Sequence, residues 1–406
     1  MVRRTHVWVA WWLVLGVPAC DDGNERRPEA TGAQDSGGAD TASEPGGDGD
    51  GDDGGVAGQT YTTAEVRAYL RRIAPLVVGR TLRLEEDDLI RARGTDAIDE
   101  IVTAWMSEPG FESAVRFLVE SYVRTSGQRE GIDFDLPGNL AALIARQELP
   151  WSTLLTADFC VDAQGEAIEC DTGAPYEAGV LATRAFLISN TGRFNLGRAK
   201  RLLETFACRV YPMEAQIQPP LEKEVLIPMF RAESADEQTV EEATGGFGNG
   251  LGCYMCHSQF GAHAQLFVRF DDQGLWREDA TGLQDPYGEL GRSFDGLYTS
   301  HYDDPTDAAS EATQVFGESV ANMREAADII VQSPLFTECS VKNVIAHTMG
   351  LHSGASNEVN AALVSELAQR ITADDPDPPI TTYIRTIFTD ERVIDAFIAS
   401  LEDDEP

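Results

Sequence analysis

The chain reads as mainly α: a multi-helical protein with one loop-rich segment in its second half. Three observations predict this. Apolar residues recur at three- and four-residue spacing in one segment after another. Capping residues, glycines and prolines mark where those segments start and stop. No run of alternating apolar and polar residues is long enough to suggest a sheet. At 406 residues the chain can hold one to three domains and bury a sizeable core.

Order is expected to begin near Thr62. Thr62-x-x-Glu65 forms a capping box before the amphipathic run Val66, Tyr69, Leu70 and Ile73, which Pro75 and Gly79 end. Helical spacing then predicts helices over about 85–93, 95–106, 109–124 and 138–148. Ile98, Ile101, Val102 and Trp105 make one apolar stripe, and Val115, Phe117, Leu118, Tyr122 and Val123 another. Residues 151–176 read as loop. A short apolar helix is expected over 178–189, and a further one follows Phe194-Asn195-Leu196-Gly197-Arg198 with Ala199, Leu202, Leu203, Phe206 and Ala207 inward. An acidic stretch at 231–243 separates this front half from the loop-rich segment. There Phe267, Phe270, Trp276, Tyr287, Phe294, Tyr298 and Tyr302 lie among many glycines and aspartates. A long helix is expected over 311–332, with Phe316, Val320, Met323, Ala327 and Ile330 on one side until Pro334 breaks it. Another carries Cys339, Val341, Val344, Ile345 and Thr348 and stops at Gly350, and helices over about 356–371, 380–388 and 390–401 close the chain.

The N-terminus has the form of an export signal. Arg3 and Arg4 precede an apolar run from Val7 to Val17, too short for an ordinary membrane span. Val17-Pro18-Ala19-Cys20 resembles a bacterial lipobox, in which Cys20 becomes a lipidated first residue; an ordinary cleaved signal peptide is the alternative. Residues 21–59 are nearly all Asp, Glu, Gly, Ser, Ala, Thr and Pro. They are expected to form a disordered acidic linker, a coil on the order of 35 Å across. The Asp-Gly repeats lack the ligand spacing of a calcium loop. The net charge of −37, from 68 acidic and 31 basic residues, speaks against nucleic acid as a partner and favours a basic one.

Seven cysteines fit an oxidising compartment. With Cys20 assigned to lipid and two more to the motif below, Cys160, Cys170, Cys208 and Cys339 remain. Cys160 and Cys170 flank a turn-like segment and can close a short loop, which leaves Cys208 with Cys339; sequence alone permits three connectivities.

The chemistry concentrates at Cys253-Tyr254-Met255-Cys256-His257. In a C-x-x-C-H run two thiols add to the vinyl groups of one porphyrin, and the adjacent histidine reaches the iron from the same short turn. Gly245, Gly246, Gly248, Gly250 and Gly252 let the backbone approach a flat ligand closely. The expectation is one covalent haem c on Cys253 and Cys256, with His257 as axial iron ligand. Two other readings use the same residues: a zinc site of Cys253, Cys256, His257 and His263, or a disulfide or redox pair beside an incidental histidine. For the sixth iron position Met349 is the first choice, and Met323, His301 and His263 are the other candidates. Met323 sits on an apolar helix face and suits core packing better.

Several stretches resemble the exported cytochrome-c-like proteins common in planctomycetes and myxobacteria. They are Ala178 to Thr183 with Asn195-Leu196-Gly197-Arg198-Ala199 to Cys208, the C-x-x-C-H run, Phe270-Asp271-x-x-Gly274-x-Trp276-Arg277, Phe294-Asp295-Gly296, and Ser333-Pro334-x-Phe336-x-x-Cys339 up to Gly350. Gly261-Ala262 stands where those proteins have Asp-Pro, and Met349-Gly350-Leu351 where they often have Leu-Gly-Arg. The resemblance implies a cytochrome-c-like haem segment and electron transfer, and no sixth ligand carries over. The expected organisation is a signal peptide over 1–20, linker over 21–59, a helical domain over 60–235 and a haem-binding helical domain over 236–406. The expected function is that of a monohaem electron carrier in the periplasm or on the cell surface, served by the cytochrome c maturation machinery, tethered to a membrane through Cys20 and passing electrons to a redox partner protein. The alternatives are a peroxidase-like haem oxidoreductase, although no distal acid–base pair is legible, and a lipoprotein without haem.

Overall fold

Thr62 starts the first helix as its sequence predicts: Glu65 N–H donates to Thr62 Oγ1 (3.2 Å), and the Glu65 carboxylate accepts from Thr62 N–H (2.7 Å). In the computed structural model this helix, α1 (Thr63–Val77), buries Val66, Tyr69, Leu70 and Ile73. Each such side chain contributes about 1.5–3 kcal/mol of hydrophobic stabilisation. Pro75 lies inside the last turn and does not end the helix before Val77. The structure describes residues 61–191, 195–209, 261–278, 310–350 and 359–402. The chain divides into Met1–Gly58 and Gln59–Pro406, and the described residues all belong to the second unit.

The described residues are mainly helical. The front half contributes α2 (Leu84–Arg93), α3 (Ala97–Met106), α4 (Pro109–Val123), α5 (Leu136–Gln147), the single turn α6 (Thr153–Thr156), α7 (Arg184–Ser189) and α8 (Leu196–Phe206). The back half contributes α9 (Met323–Gln332), α10 (Pro334–Met349), α11 (Ala361–Ile371), α12 (Ile380–Phe388) and α13 (Glu391–Glu402). The last helices return to the first. Tyr69 Oη donates to Phe388 O (2.8 Å) and Tyr61 Oη to Asp395 Oδ1 (2.9 Å). Helices α4 and α5 pack closely because Gly138 has no side chain: a Cβ there would lie 2.4 Å from Glu120 Oε1 and 2.8 Å from Arg116 Cγ.

Among the described residues strand ladders are confined to three short antiparallel hairpins, and two of them correct the sequence reading. The helix expected over 311–332 begins only at Met323. Before it, β5 (Thr313–Val315) pairs with β6 (Glu318–Val320). Phe316 and Gly317 form the two-residue turn, at φ +53° and +86°. Both central residues of such a turn need positive φ, which Gly317 adopts freely, and Val315 and Val320 suit the strands. Asn322 then caps α9 by accepting from Glu325 N–H (3.1 Å). The expected loop over 151–176 holds α6 and a hairpin of β3 (Cys160–Val161) and β4 (Ala167–Ile168). The expected helix over 178–189 is a 3-10 turn, Gly179–Ala182, followed by α7. The remaining hairpin is β1 (Gln128–Arg129) with β2 (Ile132–Asp133).

The four remaining cysteines pair as Cys160–Cys170 and Cys208–Cys339, one of the three permitted connectivities. The second bond joins the end of α8 to α10 across a separation of 131 residues. None of the described helices is long and apolar enough to cross a membrane.

Candidate functional site

Cys253, Cys256 and His257 lie outside the described residues, as does His301. Described chain stands on both sides of the motif: α8 and Cys208 before it, and the 3-10 helix Gly261–Phe267 after it. These two pieces pack against each other. His263, Ala264, Gln265, Leu266, Phe267 and Val268 are all buried, so the chain enters the core within a few residues of the motif.

Two side chains of α8 and its N-terminal turn hold that second piece in register. Asn195 is buried at φ +61°, a conformation Asn tolerates better than most residues. Its Nδ2 donates to Phe267 O (3.1 Å). Arg198 is fully buried and makes no salt bridge among the described residues. Its fork instead meets neutral acceptors in every direction. Nε donates to Leu187 O (2.9 Å), Nη1 to Asn195 Oδ1 and Phe270 O (both 3.0 Å), and Nη2 to Thr191 Oγ1 (3.1 Å) and Asp271 O (2.7 Å). Five N–H groups thus meet five acceptors. Burial pushes the guanidinium down to about 9, with Asp271 and Asp272 opposing, so it stays charged at neutral pH.

The stretch Phe270 to Arg277 closes on itself. Asp271 Oδ1 accepts from the backbone N–H of Gln273 and Leu275 (2.9 Å each), and Oδ2 accepts from Arg277 Nε (2.8 Å). Gly274, at φ +70°, lets the turn lie against α7, where a Cβ would be 3.1 Å from Arg184 Cα. Trp276 N–H donates to Thr172 O (2.9 Å), and the Arg269 guanidinium stacks over the Trp276 ring at 5.3 Å. The two stretches around Arg198 and Asp271, far apart in sequence, are therefore one structural unit through the Arg198 fork.

Beside this unit lies a buried carboxyl that sequence reasoning missed. Tyr176 Oη donates to Glu311 Oε1 (2.7 Å), and burial pushes Glu311 up to about 7. Glu177 is also raised to about 7 by its own burial, with Glu169, Asp171 and Asp158 adding repulsion. Nothing in the linear pattern around Glu311 distinguishes it from the chain's many exposed acids.

Of the candidates for a sixth iron ligand, Met323 is fully buried at the start of α9 and His263 is buried next to α8. Met349 is the last residue of α10, half-buried, before Gly350 caps the helix at φ +71°. It stands seven residues after Lys342, two turns along the same helix face. Lys342 lines a cavity of about 170 Å³ with Ala207, Cys208, Arg209 and Cys339, at the point where the chain enters 210–260. Among the described residues no group of three or more His, Cys, Asp or Glu side chains could hold a metal ion. No protein family, curated protein or solved structure matches this chain.

Proposed function

We propose that the protein is an exported monohaem c-type cytochrome that carries electrons, tethered to a membrane by a lipidated Cys20. The observation that carries this reading is the pairing of the other cysteines. With Cys160 joined to Cys170 and Cys208 to Cys339, the pair Cys253 and Cys256 is left beside His257 in the spacing that covalent haem attachment needs. Two disulfides also suit a compartment outside the reducing cytoplasm, where haem c is attached.

The donor set fits the group: two thiols for the vinyl positions and one imidazole for the iron. A bound haem supplies reversible one-electron chemistry. The chain's own part is to hold the motif in one place. Covalent reach keeps the His257 Cα within about 14 Å of the Gly261 Cα. The segment from Gly261 onward is fastened through Phe267 and Phe270 to Asn195 and Arg198. Met349, on the helix face that carries Lys342, is our choice for the sixth ligand.

Expression in a periplasm equipped for cytochrome c maturation tests the reading. The expected product is coloured, keeps its haem under denaturing conditions and shows a sharp reduced spectrum that is lost in His257→Ala. Loss of a red-end sulfur-to-iron band in Met349→Ala, with rapid carbon monoxide binding to the reduced variant, identifies the sixth ligand. Rapid carbon monoxide binding by the unaltered protein would favour the peroxidase-like alternative. A colourless product holding zinc or a Cys253–Cys256 disulfide would overturn the proposal.

A further inference from the structure

The two disulfides sit in different surroundings. Cys160 and Cys170 are both buried, at 1% and 6% exposure. In the other pair Cys339 is buried at 1%, whereas Cys208 is only partly buried and the bond borders the 170 Å³ cavity. The space is large enough for several waters, and so for the sulfur end of a small thiol. Among the described residues, Arg209, next to Cys208, Lys342, one helical turn beyond Cys339, and Glu338 line the same cavity. A cation close to the sulfurs favours an arriving and a departing thiolate. Asn343 Nδ2 lies 3.7 Å from Cys339 Sγ, a donor already aimed at the buried sulfur. Cys208 holds φ +48°, a left-handed backbone that an L side chain adopts with strain.

We propose that Cys208–Cys339 is a thiol-exchange site, with Cys208 the sulfur attacked and Cys339 the sulfur that leaves. The co-reactant is a small-molecule thiol. Its thiolate attacks Cys208 Sγ, a mixed disulfide forms there, and the Cys208–Cys339 bond breaks. The electron pair goes to Cys339 Sγ, which departs as a thiolate beside Asn343 and Lys342 and takes a proton from water. A second thiolate attacks the external sulfur of the mixed disulfide and releases Cys208. Two external thiols are oxidised to one disulfide, and the protein bond is reduced by two electrons. Because this bond ties the end of α8 to α10, exchange opens the fold where the chain enters 210–260, while Cys160–Cys170 stays closed. The inference is independent of the haem assignment.

The test treats the folded full-length protein with graded reduced glutathione, traps thiols with N-ethylmaleimide and maps the peptides by mass. The expected result is reduction of Cys208–Cys339 at least about tenfold faster than Cys160–Cys170, with glutathione recovered on Cys208. Lys342→Met should slow the reaction by about threefold while leaving the helical circular dichroism unchanged. Equal rates for the two bonds, faster loss of Cys160–Cys170, or glutathione recovered on Cys339 would overturn the proposal.

Discussion

Two arginines tie helix ends together in this protein by opposite means. Arg80, after α1 and with its side chain 20% exposed, reaches Glu86 (Nη1–Oε2 3.0 Å) and Glu108 (Nε–Oε2 2.9 Å), and Arg83 reaches the same Glu108 (3.0 Å). Arg198 is buried and meets one hydroxyl, one side-chain amide oxygen and three backbone carbonyls. The first arrangement pairs charge with charge and is redundant, since water and Arg83 can replace what Arg80 loses. The second has no substitute. Removing the fork leaves carbonyls in the core that water does not reach, and each unsatisfied group costs about 1–3 kcal/mol. A charge pair that water still reaches adds little net stability, while a charge spread over fixed dipoles in the interior fixes geometry.

The contrast is steepest at Arg198. Arg198→Met should lower unfolding free energy by about 3 kcal/mol or more in chemical denaturation. Arg198→Lys should recover less than half of the loss, because one ammonium cannot reach all five acceptors. A loss under about 1 kcal/mol would place Arg198 with Arg80.

The carboxylates extend the comparison to pH. The Arg80 guanidinium holds Glu108 below its ordinary range, whereas burial lifts Glu311 from 4.5 to about 7. For Glu311 the folded state binds the proton more tightly than the unfolded state. Its contribution is therefore fully present below pH 4.5 and is lost as pH rises to about 7, by at most about 3 kcal/mol. For Glu108 the sign is reversed: its contribution is present above the unfolded value and is lost as pH falls through the lowered one. Stability should peak on the acid side of neutral, and Glu311→Gln should flatten the decline between pH 5 and 7, read from denaturation midpoints across that range. Buried Glu177 and relief of repulsion among 68 acidic residues act in the same direction, so an unchanged slope in Glu311→Gln would assign the decline to those groups and not to Glu311.

The smallest effect is at Arg80. Arg80→Ala should cost about 1 kcal/mol or less, and the cost should shrink as salt is raised. A larger, salt-insensitive loss would show that the Arg80 network is not redundant.

The same contrast explains what was legible in the sequence. The Thr62–Glu65 box and α12 (Ile380–Phe388) follow from local rules, and the structure has both. Helix 311–332 was misread because Phe316 and Val320 fall at helical spacing from Met323 and Ile330, while Phe316-Gly317 is a weaker turn signal than Asn-Gly. Arg198 drew notice only within a longer motif, because arginine is ordinarily exposed and its burial depends on carbonyls from residues 187, 270 and 271. Glu311 was illegible for the same reason: its partner Tyr176 is 135 residues away. The C-x-x-C-H run was the most legible feature, because covalent chemistry fixes its spacing without help from the fold, and it lies outside the described residues.

Covalent attachment at that run is read out by intact mass. Protein matured in a haem-attaching periplasm should weigh one haem more than its processed chain, with the increment mapping to the peptide that holds Cys253 and Cys256 and disappearing in the Cys253→Ala, Cys256→Ala double variant. A mass equal to the processed chain alone, from cells that load a control cytochrome, would contradict it.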